Sequence, residues 1–171
     1  MDGTGYFILK NEEVDTMDET FTERQQRENQ KYYERWLACG FTGEMKLNEY
    51  GWFIPVLRLH CPVETMTVFD NKGYRARIEY CHLPNGNYVA ASDLTCPTHG
   101  YGSACSVWDT QYKTKEKAIM VELDRIEKSL EDKDRKHFVL QAIQAQRNNY
   151  KQMDIEMAFE PMTQFEQIAL F

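Results

Sequence analysis

The side chains best suited to ligating a metal or forming a nucleophile–base pair fall between positions 60 and 105: His60, Cys61, Cys81, His82, Cys96, His99 and Cys105. Cys96 and His99 are spaced CxxH within the stretch TCPTHGYG. Zinc takes Cys and His ligands that usually arrive as close pairs. Cys81 and His82 are adjacent, and neighbours on a strand point to opposite faces. The set matches no standard zinc spacing, so the cysteines read as small buried hydrophobes, with no metal and no cofactor. Cys96 or Cys105 with His99 also makes a thiol–imidazole pair. Nucleophilic catalysis needs a thiolate, a base within reach and an oxyanion site, and no third group stands beside these residues. Carboxylates crowd positions 12–28, but a solvated helix gives nothing to raise their pKa. The sequence holds no GxxxxGK[ST] and no strand-linked GxGxxG. The expectation is a protein that is not an enzyme.

Composition narrows the class. Aromatics make up 13% of the 171 residues, enough for a packed core rather than a disordered chain. The net charge of −7 opposes non-specific nucleic-acid binding, which draws its affinity from phosphate neutralisation. The acidity is uneven: residues 1–30 carry a net −5, whereas residues 111–136 carry +1. The cysteines number five, an odd and scattered set that argues for free thiols in a reducing cytosol. No apolar run approaches the roughly 20 residues of a membrane span. Tyr6–Leu9 is too short for a signal-peptide core. The expected setting is cytoplasmic, away from membranes.

The elements that must position these residues follow from periodicity. Segment 1–15 is an N-terminal extension, 16–150 a single α+β domain and 151–171 a C-terminal tail. Thr16 with Glu19 has the capping-box spacing and opens a helix that stops at Gly40. Tyr32, Tyr33, Trp36 and Leu37 give that helix an apolar face, while TERQQRENQK before them is solvated or meets a partner. Strands are expected at 44–50, 52–59 and 64–69. From Tyr74 to His82 apolar and polar residues alternate, with Tyr74, Ala76, Ile78 and Tyr80 inward and Arg75, Arg77 and Glu79 outward. Leu83–Asn87 makes a hairpin turn around Gly86, and Tyr88–Leu94 returns. Residues 95–110 read as a long loop of small residues, a usual place for function. Thr114 caps a helix whose stripe is Ile119, Leu123, Ile126 and Leu130. A further helical face runs through Phe138, Val139, Ala142, Ile143 and Tyr150. The period-2 pattern in 151–166 predicts an extended segment. The expected fold is thus an N-terminal helix, an antiparallel meander sheet, two C-terminal helices and an apolar tail.

That tail ends in Gln167-Ile168-Ala169-Leu170-Phe171. Its apolar side chains are costly to leave in water, each worth roughly 1.5–3 kcal/mol on burial. The pattern resembles the short peptide by which bacterial polymerases and repair proteins hold the sliding clamp. The resemblance implies Gln167 as the polar anchor, Ile168 as a second aliphatic contact, and Leu170 with Phe171 as pocket fillers. Ala169 replaces the more usual Ser or Asp. The implied role is a non-enzymatic adaptor or inhibitor of a DNA-transaction partner.

Two further resemblances bear on partners. The order helix, antiparallel sheet, helix is loosely similar to a double-stranded-RNA-binding domain, with Arg75, Arg77, Lys113, Lys115 and Lys117 as the implied contacts. Residues 73–130 look like accessory domains of plasmid and phage DNA-processing proteins. The acidic segment, with Glu12, Glu13, Asp15 and Asp18, is similar in charge to phage-borne inhibitors that mimic nucleic-acid phosphate. None of these features sets an oligomeric state.

Overall fold

The computed structural model describes residues 20–158. The expected α+β fold is present. Helix α1 (Phe21–Ala38) precedes a four-stranded antiparallel sheet of β1 (Glu64–Asn71), β2 (Tyr74–His82), β3 (Tyr88–Thr95) and β4 (Gly100–Gly102). Helices α2 (Lys115–Ser129) and α3 (His137–Ala158) follow. The sheet order is sequential, as a meander requires.

The strand boundaries follow from local chemistry. Asn71 pairs with Tyr74 across Lys72-Gly73, which have φ of 51° and 81°. Positive φ at both central residues suits a tight hairpin turn. In β2 the predicted inward residues Tyr74, Ala76, Ile78 and Tyr80 are all buried. They meet Leu94 of β3 together with the α2 stripe Ile119, Leu123, Ile126 and Leu130, and Val139 and Ile143 of α3. Thr114 caps α2 as expected, its Oγ1 accepting from the Lys117 amide.

Several expectations are corrected. First, the cap of α1 is not at Thr16, which lies outside the described residues. Thr20 and Glu23 form the capping box, with Thr20 Oγ1 accepting from Glu23 N and Glu23 Oε2 accepting from Thr20 N. Second, 44–50 and 52–59 are not strands. Asn48 Oδ1 accepts from the amides of Tyr50 and Trp52 and closes a turn. Pro55 has no amide to give a ladder. Isolated bridges at Leu47–Phe53 and Val56–Ser106 and a short 3-10 turn at Leu57–Leu59 remain. Third, the 95–110 loop contains β4, paired with β3 from Asp93 to Thr95. Fourth, α3 continues through Ala158, so residues 151–158 are helical rather than extended. Alternation of apolar residues over so few positions does not separate strand from helix.

The fifth correction concerns the sheet's outward face, expected to be solvated. One half of it is covered by a second core of Trp36 from α1, Cys39 just after it, Phe53, Leu57, Cys81, Leu83, Val89, Ala91, Cys105 and Val107. The fold is therefore layered, with α2 and α3 on one face and α1 with the 53–57 and 105–107 segments on the other. The polar first half of α1 also docks. Asn29 is buried, donating through Nδ2 to Gly51 O and accepting through Oδ1 from Phe53 N, and Gln25 donates to Tyr50 O. Leu37, expected in the core, is exposed.

Candidate interaction surface and a thiol–imidazole cluster

Two of the large exposed apolar residues, Phe21 and Trp108, line the same side of α1, whereas Leu47, Tyr50 and Leu59 are exposed elsewhere. Phe21 is 71% exposed and Trp108 43% exposed. Phe21 sets its edge against Trp52 at 6.3 Å, and Tyr32 sets its edge against Trp108 at 5.3 Å. The Arg35 guanidinium lies 5.0 Å from the centre of the Trp108 ring. One shallow groove is lined by Phe21, Arg24, Glu28, Tyr32 and Trp52. A second is lined by Lys31, Glu34, Arg35, Ala38 and Trp108. Helical spacing joins them: Phe21, Arg24, Glu28, Tyr32 and Arg35 recur at intervals of three and four, which share one face. The result is a strip of aromatic and arginine side chains, the composition enriched where proteins bind one another.

Sequence periodicity gave only part of this strip. It placed Tyr32 and Leu37 inward and did not bring Trp52 or Trp108 to the helix. The missing information was tertiary, because Trp108 reaches α1 from a segment some 70 residues away that is held by Val107 N donating to Pro55 O.

The basic residues predicted for nucleic acid fall on two faces. Arg75 and Arg77 are on the outward face of β2. Arg77 there lies opposite Asp93 and 4.0 Å from Asp70, so acids alternate with bases. Lys115 is on the other side of the sheet, its Nζ 4.3 Å from the centre of the Tyr80 ring and 3.7 Å from Glu64. Lys113 and Lys117 are exposed beside it at the start of α2. The fold does not gather the five into one patch. Gln167, Ile168, Leu170 and Phe171, and the acidic residues Glu12, Glu13, Asp15 and Asp18, lie outside the described residues.

The cysteines and histidines also separate. Cys81 faces the second core and His82 faces away from it, stacking on Tyr88 at 4.5 Å. Burial pushes the Cys39 thiol up to about 11 and the Cys61 thiol up to about 12. Hydrogen bonding to Cys105, followed by burial, raises Cys81 further. Such thiols stay protonated and inert at neutral pH. His60 packs flat on Phe53 at 5.8 Å, with Nε2 2.9 Å from Ile54 O. Cys105 lies in the second core and gives its S–H to Glu79 O, so it makes no pair with His99.

Cys96 and His99 do come together, and Asp134 joins them. Cys96 N donates to His99 O at 2.7 Å, closing a two-residue turn at Pro97-Thr98. Residues opposite one another across such a pair put their side chains on the same face. Asp134 is 2% exposed. Burial works to raise its carboxyl, but hydrogen bonds from Thr98 and Tyr74 outweigh this and hold it below the usual range. Burial, with Asp134 and Glu131 nearby, raises the Cys96 thiol, which argues against a nucleophile.

Comparison of the chain with protein-family models, curated proteins and solved structures finds no match. Among the described residues, no helix is long and apolar enough to cross a membrane.

Proposed function

We propose that the chain is a non-enzymatic interaction protein that binds a protein partner through the aromatic–arginine strip on α1. The observation that carries this reading is the grouping of Phe21, Trp52, Tyr32 and Trp108 with Arg24 and Arg35 on one helix face. Aromatic rings left partly in water lose contact area that a partner would supply. Trp, Tyr and Arg are the side chains that most often dominate interface energetics. The raised thiols of Cys61, Cys81 and Cys96 also favour a binding role over a cysteine nucleophile. The partner proposed from the tail is the bacterial sliding clamp, held by Gln167, Ile168, Leu170 and Phe171.

The test is calorimetric titration of a bacterial sliding clamp with three forms: the intact chain, a chain ending at Glu166, and the double variant Phe21→Glu/Trp108→Glu. Both substituted positions are exposed, and circular dichroism of the variant records that it folds. Micromolar binding by the intact chain, lost on truncation and weakened in the double variant, is the expected result. Absence of binding by the intact chain would remove the clamp as partner. Unchanged affinity in the double variant would remove the strip from the contact.

A further inference from the structure

Three electron-pair donors converge where the β3–β4 turn meets the segment between α2 and α3. The Cys96 Sγ, a His99 ring nitrogen and an Asp134 carboxylate oxygen all lie within 4.8 Å of one another. The groups around them leave these atoms, and not their alternatives, facing the common point. Tyr74 Oη donates to Asp134 Oδ1 at 3.1 Å, which leaves Oδ2 toward His99. His99 Nε2 is 3.0 Å from Ser129 O. A carbonyl only accepts, so Nε2 carries the hydrogen of the neutral ring, and Nδ1 presents its lone pair. Nδ1 is 3.3 Å from Asp134 Oδ2. Two lone pairs at that separation repel unless a proton or a cation lies between them.

We infer that Cys96, His99 and Asp134 form a binding site for a divalent transition-metal cation of zinc type. Several observations fit. Zinc bonds to nitrogen and oxygen of about 2.0–2.1 Å, at a tetrahedral angle, place those two ligands about 3.3–3.4 Å apart, which is the separation of Nδ1 and Oδ2 here. Thiolate and imidazole select zinc-like ions over hard magnesium and calcium. A metal-bound histidine characteristically gives its other N–H to a carbonyl or carboxylate, as His99 gives Nε2–H to Ser129 O. Glu131 Oε1, 4.0 Å from Nδ1, is the side chain placed to supply a fourth ligand. On binding, Cys96 releases its thiol proton to solvent and the sulfur–metal bond replaces the S–H bond. Thr98 Oγ1, which donates to Asp134 Oδ2 at 2.9 Å and lies 3.3 Å from His99 Nδ1, turns aside. The ion would tie the end of β3, the end of α2 and the turn before α3 into one unit. The competing arrangement is a metal-free latch in which Thr98 and a protonated His99 satisfy Asp134.

The experiment uses the full chain, stripped with a chelator and titrated with zinc against a chromophoric competitor. Cobalt substitution reads the sulfur ligand through its thiolate-to-metal absorption. The expected result is one equivalent of zinc per chain, a raised melting temperature and a cobalt–thiolate band. Cys96→Ser should lose the band and weaken zinc binding beyond the about 10–100-fold expected of Tyr74→Phe, which alters only a supporting contact. Asp134→Asn is a second ligand variant, with circular dichroism of both ligand variants recording whether they fold. Wild-type protein that takes up no stoichiometric zinc establishes the latch and overturns the inference. So does a Cys96→Ser variant that keeps the full band, since the sulfur would then come from another cysteine.

Discussion

Ser92 Oγ donates to Glu122 Oε2 at 2.6 Å across the interface between β3 and α2, and both residues are buried. Burial raises the Glu122 carboxyl above its ordinary value, against the hydrogen bond from Ser92 and the Arg125 guanidinium, while nearby Asp109 raises it further. A carboxyl raised in the fold binds its proton more tightly folded than unfolded. Its contribution is therefore most favourable below about 4.5, the unfolded value, and is lost as pH rises through the folded value. Glu122→Gln keeps an acceptor for Ser92 without the buried charge. Thermal melts should show the variant more stable than the parent at pH 7, with the difference shrinking toward pH 4. A parent protein that is the more stable at pH 7 would mean the Arg125 pairing outweighs burial.

The start of α1 offers a local test. Thr20 accepts from Glu23 N, and Glu23 Oε2 takes Thr20 N at 2.9 Å. Thr20→Ala removes the side-chain acceptor and should cost about 1 kcal/mol in urea unfolding. A negligible change would show that tertiary contacts such as those of Asn29 and Trp36 hold α1 without help from its cap.

Gly40 fixes how the end of α1 meets the β2–β3 turn. Its φ is +90°, and an added Cβ would lie 2.4 Å from the Asn85 amide nitrogen. The same turn is tied to α1 by Asn85 N donating to Cys39 O and Asn85 Nδ2 donating to Ala38 O. Gly40→Ala must move backbone and adopt a strained φ, so a loss of at least about 1–3 kcal/mol is expected. Gly86, with a comparable φ but open space around it, controls for the φ cost alone. Equal effects at the two positions would show that the close approach to Asn85 relaxes freely.

How much of this was legible in the sequence depends on how local each cause is. The alternation in Tyr74–Tyr80 and the stripe Ile119–Leu130 reflect burial on one face, which periodicity reports directly. Segment 52–59 did not follow its propensity. Phe53 and Leu57 are buried in the core shared with α1 and the 105–107 segment, Leu59 is exposed, and Pro55 with the Asn48 turn prevents a ladder. Asn29 reads as one more polar residue in a solvated run, yet it is buried because Gly51 and Phe53 offer its amide both partners. The Cys96–His99 spacing was visible, but its third member, Asp134, sits 35 residues after His99 among ordinary surface charges. Only the packing of α2 against the sheet brings it back.

The split of the basic residues makes the last prediction. Five phosphate contacts by Arg75, Arg77, Lys113, Lys115 and Lys117 would give a slope of log affinity against log salt of about −4.5 on duplex DNA. Arg75 and Arg77 face away from the α2 side of the sheet, whereas Lys115 lies on that side over Tyr80. A single duplex resting on one face cannot reach both sets. Asp70 and Asp93 beside Arg77 further offset that face. Filter-binding or anisotropy measurements should therefore find weak association with a slope no steeper than about −2.7, the value for the three contacts of the larger set. A slope near the larger figure, reduced equally by Arg75→Glu and by Lys117→Glu, would require one surface containing both sets. That outcome would favour nucleic-acid binding over the protein-interaction reading.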